Sequence, residues 1–531
     1  MACTDITPLQ LPITDIQVLP NIPDSYMRGI KAGVGDPVQD IVVLPWAELN
    51  NTWIYDTTPY CDETIIWNDL ICDIRRGDLY DEGNSTTFAK EDDVKSAGGA
   101  SIETQGNGSE LGISKLLTSS LGGTETFGFE SGSSLHEFPI GIPRLNWDHG
   151  YTMLHAMGMG ANSTLLNALY ESKQIGARAW SFFWGRESID PDGSLDGSLV
   201  LGGYDQQKTI GANYSQALDY SDSTGCWTGM KVIIASIQLN FRNGSDIDML
   251  PPNTSLDVCL VPQRQLLLEA PHSLIDTFED LTGMTNRGTS FGLHWTAFLY
   301  DAVNSFDGDM TISLSNGLNV RIDNSQYLVP FVEIQRNGSR VFNTSTTELL
   351  INGVVDQPAT LGRYFFTAAY LMVNHDENIF TLWRANPSTE SKLVPAINRR
   401  ANSCDNNTAQ TDQASFREPY HLSKGIIAGI TLGSLGLILV LIFAIIFYLR
   451  SRKRKAVSPS EKTAIAGGGQ RDQAIDERFS DQGPLPKSQE LYGSFPTTKG
   501  LNSQGRPALY ELPGGQGRWE MEASCNTLVS R

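Results

Sequence analysis

Three carboxylates in this 531-residue chain have neighbours that would suit acid–base catalysis. Asp56 and Asp276 are each followed by Thr, and Glu48 lies shortly before Asp56. Two carboxyl groups about 3 Å apart share one proton, so that one activates water while the other protonates a carbonyl. Such a pair would hydrolyse peptide bonds. Neither Asp-Thr pair, however, is followed by the Gly that lets a tight loop pack closely.

Other catalytic and metal-binding patterns are missing from the sequence. It contains no His-Glu-x-x-His, no Gly-x-Ser-x-Gly and no Gly-rich phosphate loop, and its seven His residues are scattered. No Cys/His spacing suits zinc. We therefore predict neither a cofactor nor a metal.

The elements that must position these residues are mainly β-strands. Between about residues 26 and 386, short or alternating apolar runs are separated by Gly, Asn, Asp and Pro turns. The clearest strand patterns lie at residues 39–44, 52–55, 198–201, 231–239, 309–314 and 327–334. Helical periodicity is confined to residues 164–174 and to residues 272–281, where Leu274, Ile275 and Phe278 share one face. A segment of about 360 residues is too long for a single hydrophobic core, which indicates two lobes.

Five motifs follow one another in an order that resembles one enzyme family. Residues 35–53, GDPVQDIVVLPWAELNNTW, contain a Gly-x-Pro-x-Gln turn, an apolar strand and then a Trp fourteen residues after the Gln. The other motifs are MGMGANS at 157–163, GSLVLGGYD at 197–205, TLGRYF at 360–365 with YLMVN at 370–374, and the pair Cys226 and Cys259. Together they resemble the pepsin-like aspartic proteases over roughly residues 26–392, in a membrane-anchored form of the fungal type.

That resemblance implies an all-β, bilobal pepsin-like fold, with an N-terminal lobe over residues 26–205 and a C-terminal lobe over residues 206–392. It also aligns Trp46-Ala47-Glu48 and Pro262-Gln263-Arg264 with the two Asp-Thr-Gly loops of the family. Trp46 and Pro262 would then replace both catalytic carboxylates. The resemblance therefore implies a protein that has lost the catalytic pair.

A protease with a non-standard pair is the alternative. Its carboxylates would come from Asp56, Asp276 or Glu48. Asp56 follows Trp53 instead of preceding it, and Asp276 lies in a predicted helix. Glu48 alone has no partner with which to share a proton.

Four of the seven cysteines predict two disulfides. In an oxidising compartment, Cys61 and Cys72 would close a loop of about ten residues, and Cys226 and Cys259 one of about 32. The second pair also corresponds to the second-lobe disulfide of the pepsin-like family. The pairing of Cys3 and Cys404, with each other or between chains, is left open.

Residues 425–449, GIIAGITLGSLGLILVLIFAIIFYL, predict a membrane span. They carry no charge and no Pro, and their helical length exceeds a hydrocarbon core of about 30 Å. Five positive charges follow within residues 450–455, so the positive-inside rule puts the C-terminus in the cytosol and the N-terminus outside. We expect a single-pass protein of the plasma membrane, with a stalk at 393–424. Residues 450–531 are rich in Gly, Ser and Pro and predict a disordered cytosolic tail.

Glycosylation motifs agree with this topology. Ten Asn-x-Ser/Thr sequons precede the predicted span and none follows it. They are Asn50, Asn84, Asn107, Asn162, Asn213, Asn243, Asn253, Asn337, Asn343 and Asn406. Residues 1–25, which we treat as an N-terminal extension, contain no apolar run long enough for a signal peptide. Either the N-terminus is incomplete or the topology is wrong, and the sequons favour the first explanation.

The charge distribution restricts the partners. The net charge of −21 divides into +4 for residues 450–531 and −25 for the rest, which argues against nucleic acid. We expect an extended peptide or a cell-wall ligand in the cleft, and membrane lipid around the span. Gly425, Gly429 and Gly433 recur every four residues and would allow a homodimer through close helix packing.

These observations lead us to expect a membrane-anchored, glycosylated pepsin-fold protein without catalysis, which binds or senses a ligand at the cell surface. The alternatives are a membrane-bound aspartic endopeptidase and a module that binds wall polysaccharide through some of the ten Trp residues. Trp on a β-strand is more often a core residue than a sugar platform.

The topology leads to a first prediction. Protease treatment of intact cells should digest the segment before residue 425 and leave an epitope after residue 455 protected, and glycans should be found on several of the ten sequons. An introduced sequon in residues 456–531 should stay unmodified. Glycosylation of that introduced site would contradict the predicted orientation.

Overall fold

The computed structural model describes residues 6–396, apart from 59, 62–65, 67, 102–115, 147–152, 222–223 and 355–357. The predicted membrane span and tail and most of the stalk therefore lie outside the described residues. So do Cys3, Cys404, Asn107, Asn406, Gly425, Gly429 and Gly433. None of the described helices is long and apolar enough to cross a membrane.

Strands account for 44% of the structure and helices for 14%, so the prediction of a mainly β chain is confirmed. In the N-terminal half (residues 6–205) the strands are β1 Leu9–Gln17, β2 Tyr26–Val34, β3 Gln39–Trp46, β4 Thr52–Trp53, β5 Ala89–Glu91, β6 Ser120–Phe129, β7 Ser134–Pro143, β8 His155–Gly158, β9 Ala179–Phe183, β10 Gly197–Leu201 and β11 Gly203–Asp205. In the C-terminal half (residues 206–396) they are β12 Thr209–Ala217, β13 Lys231–Asn240, β14 Asp246–Asp248, β15 Leu256–Leu260, β16 Leu268–Pro271, β17 Phe298–Asp301, β18 Asp309–Leu314, β19 Asn319–Ile322, β20 Leu328–Ile334, β21 Arg340–Leu349, β22 Ile351–Val354, β23 Ala359–Leu361, β24 Ala369–Asn374, β25 Ile379–Ala385 and β26 Leu393–Pro395. All six strand patterns singled out in the sequence coincide with strands.

Three α-helices have both ends within the described residues, and two of them were predicted. They are α1 Asp69–Arg76, α2 Thr164–Glu171 and α3 Ser273–Thr282. The face of α3 that carries Leu274, Ile275 and Phe278 is buried, as its periodicity indicated. The sequence analysis missed α1, which is only eight residues long. Its local signals are the Asn68 side chain that caps the first turn and Gly77, which ends the helix at φ 83°.

Six strands of the N-terminal half close into a mixed barrel. Their order is β2-β3-β8-β4-β7-β6, and β6 pairs back onto β2. β8 lies parallel to β3 on one side and antiparallel to β4 on the other, while β4 runs parallel to β7. The loop between β3 and β4 is thus held against the end of a strand made about a hundred residues later.

The C-terminal half repeats this arrangement. β23 lies parallel to β15 and antiparallel to β16, and β16 runs parallel to β22. These strands belong to an eight-stranded sheet whose order is β19-β18-β13-β15-β23-β16-β22, with β14 on β13. In each half, two strands joined by a loop therefore pair with the two sides of one strand that comes later in the chain.

A third set of strands joins the two halves. The order β12-β25-β24-β9-β10-β1 is antiparallel throughout and includes strands from both ends of the described chain. The predicted N-terminal extension is consequently part of the fold, because β1 pairs with both β10 and β2. The first residues of the predicted stalk are also in a strand, since β26 pairs with β11. Both corrections follow from backbone pairing. The sequence of a short strand with polar flanks does not indicate such pairing.

His155 connects the barrel to the segment after α1. The backbone N–H of Tyr55 donates to its Nδ1 at 2.9 Å, and Nε2 lies 2.8 Å from the carbonyl oxygen of Asp78. The neutral tautomer with a proton on Nε2 satisfies both contacts. Burial lowers the pKa of the His155 imidazole to about 3.

This burial predicts a loss of stability in acid. An unfolded His binds a proton near pH 6.5, whereas folded His155 stays neutral until about pH 3, so the free energy of unfolding falls with pH between these values. The contribution of His155 between pH 7 and pH 4 should be about 3 kcal/mol. Urea unfolding of His155→Gln should show a correspondingly shallower pH dependence. The matched control is His272→Gln at the exposed start of α3, and an unaltered slope in His155→Gln would contradict the assignment.

Candidate functional site

The two loops that the sequence analysis singled out hold corresponding places in the two halves. Trp46 ends β3, and Ala47 and Glu48 follow it in the loop to β4. Pro262, Gln263 and Arg264 lie in the loop from β15 to β16. In each half, the loop packs tightly against a glycine at the end of this later strand (β8 or β23). A Cβ on Gly158 would come within 2.4 Å of the Asn51 carbonyl oxygen, and one on Gly362 within 2.2 Å of that of Leu266.

These loops touch each other through one amide side chain. Gln263 donates from Nε2 to the Oε1 atom of Glu48 at 3.0 Å. Its Oε1 accepts from the backbone N–H of Ala47 at 3.4 Å. Gln263 is 7% exposed and Glu48 4% exposed, so both groups of this contact are removed from water. A side-chain amide has both a donor and an acceptor. The donor binds the carboxylate of Glu48, and the acceptor binds the backbone N–H of Ala47.

Two arginines complete the polar contact. Arg264 lies 3.7 Å from the Glu269 carboxylate, which also accepts from the hydroxyl of Thr360 at 2.8 Å. Arg363 donates from Nη2 to the carbonyl oxygen of Gln263 at 2.8 Å. We call Glu48, Gln263, Arg264, Glu269 and Arg363 the loop-contact cluster. It contains two acids and two arginines, so its formal charges cancel.

The structure brings no two candidate carboxylates together. Glu48 binds Gln263, and Asp56 pairs with Arg144 while accepting from the Thr58 N–H at 2.9 Å. Asp276 is exposed on α3, where its only described ion pair is with His272 at 3.8 Å. Trp46 is 4% exposed, and Pro262 is also buried, in the loop from β15 to β16. Each of the three candidate carboxylates therefore has a described partner other than a second carboxylate.

Both predicted disulfides are formed. Cys61 pairs with Cys72 at the start of α1, and Cys226 pairs with Cys259 at the end of β15. The first one packs with Ile66 against Trp295 of the C-terminal half. Arg75 of α1 reinforces this contact, since it donates to the Gly292 carbonyl oxygen at 2.8 Å and stacks over Trp295.

The described sequons differ in exposure. Seven of the eight have exposed side chains, namely Asn84, Asn162, Asn213, Asn243, Asn253, Asn337 and Asn343. Asn50 is the exception, because it is 2% exposed and its Oδ1 accepts from the Asn162 N–H at 3.0 Å. The folded barrel leaves no room for a glycan on Asn50.

A second buried polar network was missed by the sequence analysis. His294 lies 2.6 Å from the Glu348 carboxylate through Nδ1 and 2.7 Å from the Tyr364 hydroxyl through Nε2. Tyr364 donates to Glu187 at 2.9 Å, and Glu187 also accepts from the indole N–H of Trp184 at 2.8 Å. These residues are spread over 177 positions of the chain, and no local pattern links them.

The proton count of this network is fixed by its geometry. Three hydrogen bonds join Glu348, His294, Tyr364 and Glu187, and each needs one proton. Burial raises the pKa of the Tyr364 hydroxyl well above its ordinary value, so Tyr364 supplies one. The other two come from an imidazolium or from neutral His294 with one protonated carboxyl. His294 and Glu348 are 6% and 0% exposed, so this network is buried within the fold.

No protein-family model matches the sequence, and no curated protein is significantly similar to it. The candidate site therefore rests on the motifs and on the contacts described above.

The loop contact leads to a third prediction. Gln263→Ala should lower the free energy of unfolding by roughly 1–3 kcal/mol, because it leaves the buried Glu48 carboxylate without this amide donor. A double-mutant cycle with Glu48→Ala should give a coupling energy of about 0.5–3 kcal/mol in urea unfolding. Gln335→Ala, at an exposed position, is the matched control and should change stability by less than about 0.5 kcal/mol. Additive effects at Gln263 and Glu48 would contradict the contact.

Proposed function

We propose that this chain is a catalytically inactive relative of the pepsin-like aspartic proteases, held in the plasma membrane by residues 425–449, and that it binds a ligand outside the cell. The observation that carries the proposal is the occupancy of the two catalytic positions by Trp46 and Pro262. Two carboxylates of a protease would need water between them and substrate above them. In this chain, the loop-contact cluster joins the two loops through buried, charge-balanced contacts instead.

Two further observations support the family relationship. The motif order in the sequence agrees with the repeated strand arrangement, in which β3 with β4 and β15 with β16 embrace β8 and β23. The sheet that combines β9, β10, β24 and β25 suits a protein of two related lobes over residues 26–205 and 206–392. The chemical class of ligand that this family relationship suggests is an extended polypeptide, with a cell-wall component as the other candidate.

The alternatives have less support. An endopeptidase with a non-standard pair would need Asp56 and Asp276 close together, but Asp56 is paired with Arg144 and Asp276 is exposed on a helix. A polysaccharide platform would need exposed indoles. Five described Trp residues are instead buried, namely Trp46, Trp53, Trp180, Trp184 and Trp295.

The proposal predicts that the purified protein does not cleave peptides. Loss of one positioned acid or base lowers a rate by about 10²- to 10⁴-fold, and here both are replaced. Digestion of denatured protein between pH 3 and pH 7 should show no cleavage that a transition-state-mimicking pepsin inhibitor abolishes. The double variant Trp46→Asp with Pro262→Asp should stay inactive or fold poorly, because Glu48 and Arg264 still replace the two loop glycines.

Pepsin itself is the positive control for this assay. Inhibitor-sensitive cleavage that disappears in Asp56→Asn or in Asp276→Asn would overturn the proposal and establish a protease with a different catalytic pair.

A further inference from the structure

A cavity of about 600 Å³ is lined by Ile66, by residues of α1 and by residues of the hairpin of β20 and β21. Its apolar wall includes Ile66, Ile71 and Phe291, and its polar wall includes Arg75 and Glu333. Phe291 is 55% exposed at this wall. The volume is within the range of about 300–1,000 Å³ that is typical of ligand sites.

The floor of this cavity is the open edge of β20. In the antiparallel ladder with β21, Phe331 pairs with Asn343 and Glu333 with Val341, and the turn adds a bond from the Gln335 N–H to the Ser339 carbonyl. Odd-numbered residues of β20 therefore bond to β21. Even-numbered residues present their N–H and C=O groups to the opposite side, towards the cavity.

Protein contacts cap this edge at its two ends. The Val332 carbonyl oxygen accepts from the Leu293 N–H at 2.8 Å. The Arg336 carbonyl oxygen accepts from the Asn68 side chain at 3.2 Å. Ile334 lies between them, and neither its N–H nor its C=O has a hydrogen-bond partner within the described part of the chain.

An unpaired N–H and C=O on one residue of an edge strand is the pattern to which another extended backbone binds. We propose that the cavity binds a short extended peptide of a partner protein, which adds one strand to the sheet of β20 and β21. The distance along a strand from Val332 to Arg336 is about 13 Å, which accommodates about three or four peptide residues. Apolar side chains of the peptide would contact Ile66, Ile71 and Phe291, and the charged groups of Glu333 and Arg75 border the site.

This site is separate from the loop-contact cluster, because none of its lining residues belongs to the loops of Trp46 or Pro262. Peptide binding at β20 is therefore independent of the family relationship proposed above. The proposed peptide site also involves both halves, since α1 belongs to the N-terminal half and β20 to the C-terminal half.

The test uses the purified full-length protein in detergent and a phage-displayed library of random heptapeptides. Enriched peptides are synthesised with a fluorescent label, and their dissociation constants are measured by polarisation. Ile334→Pro should weaken binding at least tenfold, because proline suits an edge strand but removes the outward N–H. Ile334→Val keeps the N–H and is the matched control, with binding within about twofold of the parent.

Two further measurements keep the result interpretable if Ile334→Pro folds poorly. Phe291→Asp changes a half-exposed side chain at the rim and should also weaken binding at least tenfold. Methylation of successive peptide nitrogens should abolish binding at the one position that donates to the Ile334 carbonyl. The proposal is overturned if no heptapeptide is enriched, or if enriched peptides bind Ile334→Pro and Phe291→Asp as tightly as the parent. The second outcome would put the peptide elsewhere and leave the proposed function standing.

Discussion

A buried charge needs a partner, and this requirement dominates the centre of the molecule. The carboxylates of Glu48 and Glu269 are almost inaccessible to water, so their stability depends on Gln263 and Arg264. Because Glu48 comes from one half and Gln263 from the other, separation of the two loops would break the hydrogen bond between them. The contact between Glu48 and Gln263 therefore holds the loops of the two halves together.

Further contacts connect the loop-contact cluster to the residues around it. Arg363 links the loop-contact cluster to Trp184 by stacking over its ring, and Trp184 in turn donates to Glu187 of the second network. On the other flank, the disulfide of Cys61 and Cys72 is packed against Trp295. The two halves are thus joined by polar and apolar contacts along a continuous path.

Local patterns in the sequence were sufficient for the strands and for two of the three helices, because alternation and caps are properties of adjacent residues. The two disulfides also followed from spacing and motif order. The network of His294, Glu348 and Tyr364 could not be predicted, since its members meet only after the chain has folded. The burial of Asn50 could not be predicted either, because the sequence of a sequon does not indicate whether its Asn is buried in the fold.

The place of β9 in the central sheet has a consequence for biosynthesis. β9 is hydrogen bonded to β10 on one side and to β24 on the other, and Ser181 contacts Tyr370 across 189 residues of sequence. At about 5–20 residues per second, a ribosome needs on the order of 10–40 s to make the second strand after the first. During that interval the apolar strand AWSFF has one open edge. The emerging chain therefore passes through a period in which this edge is open to pairing with neighbouring nascent chains.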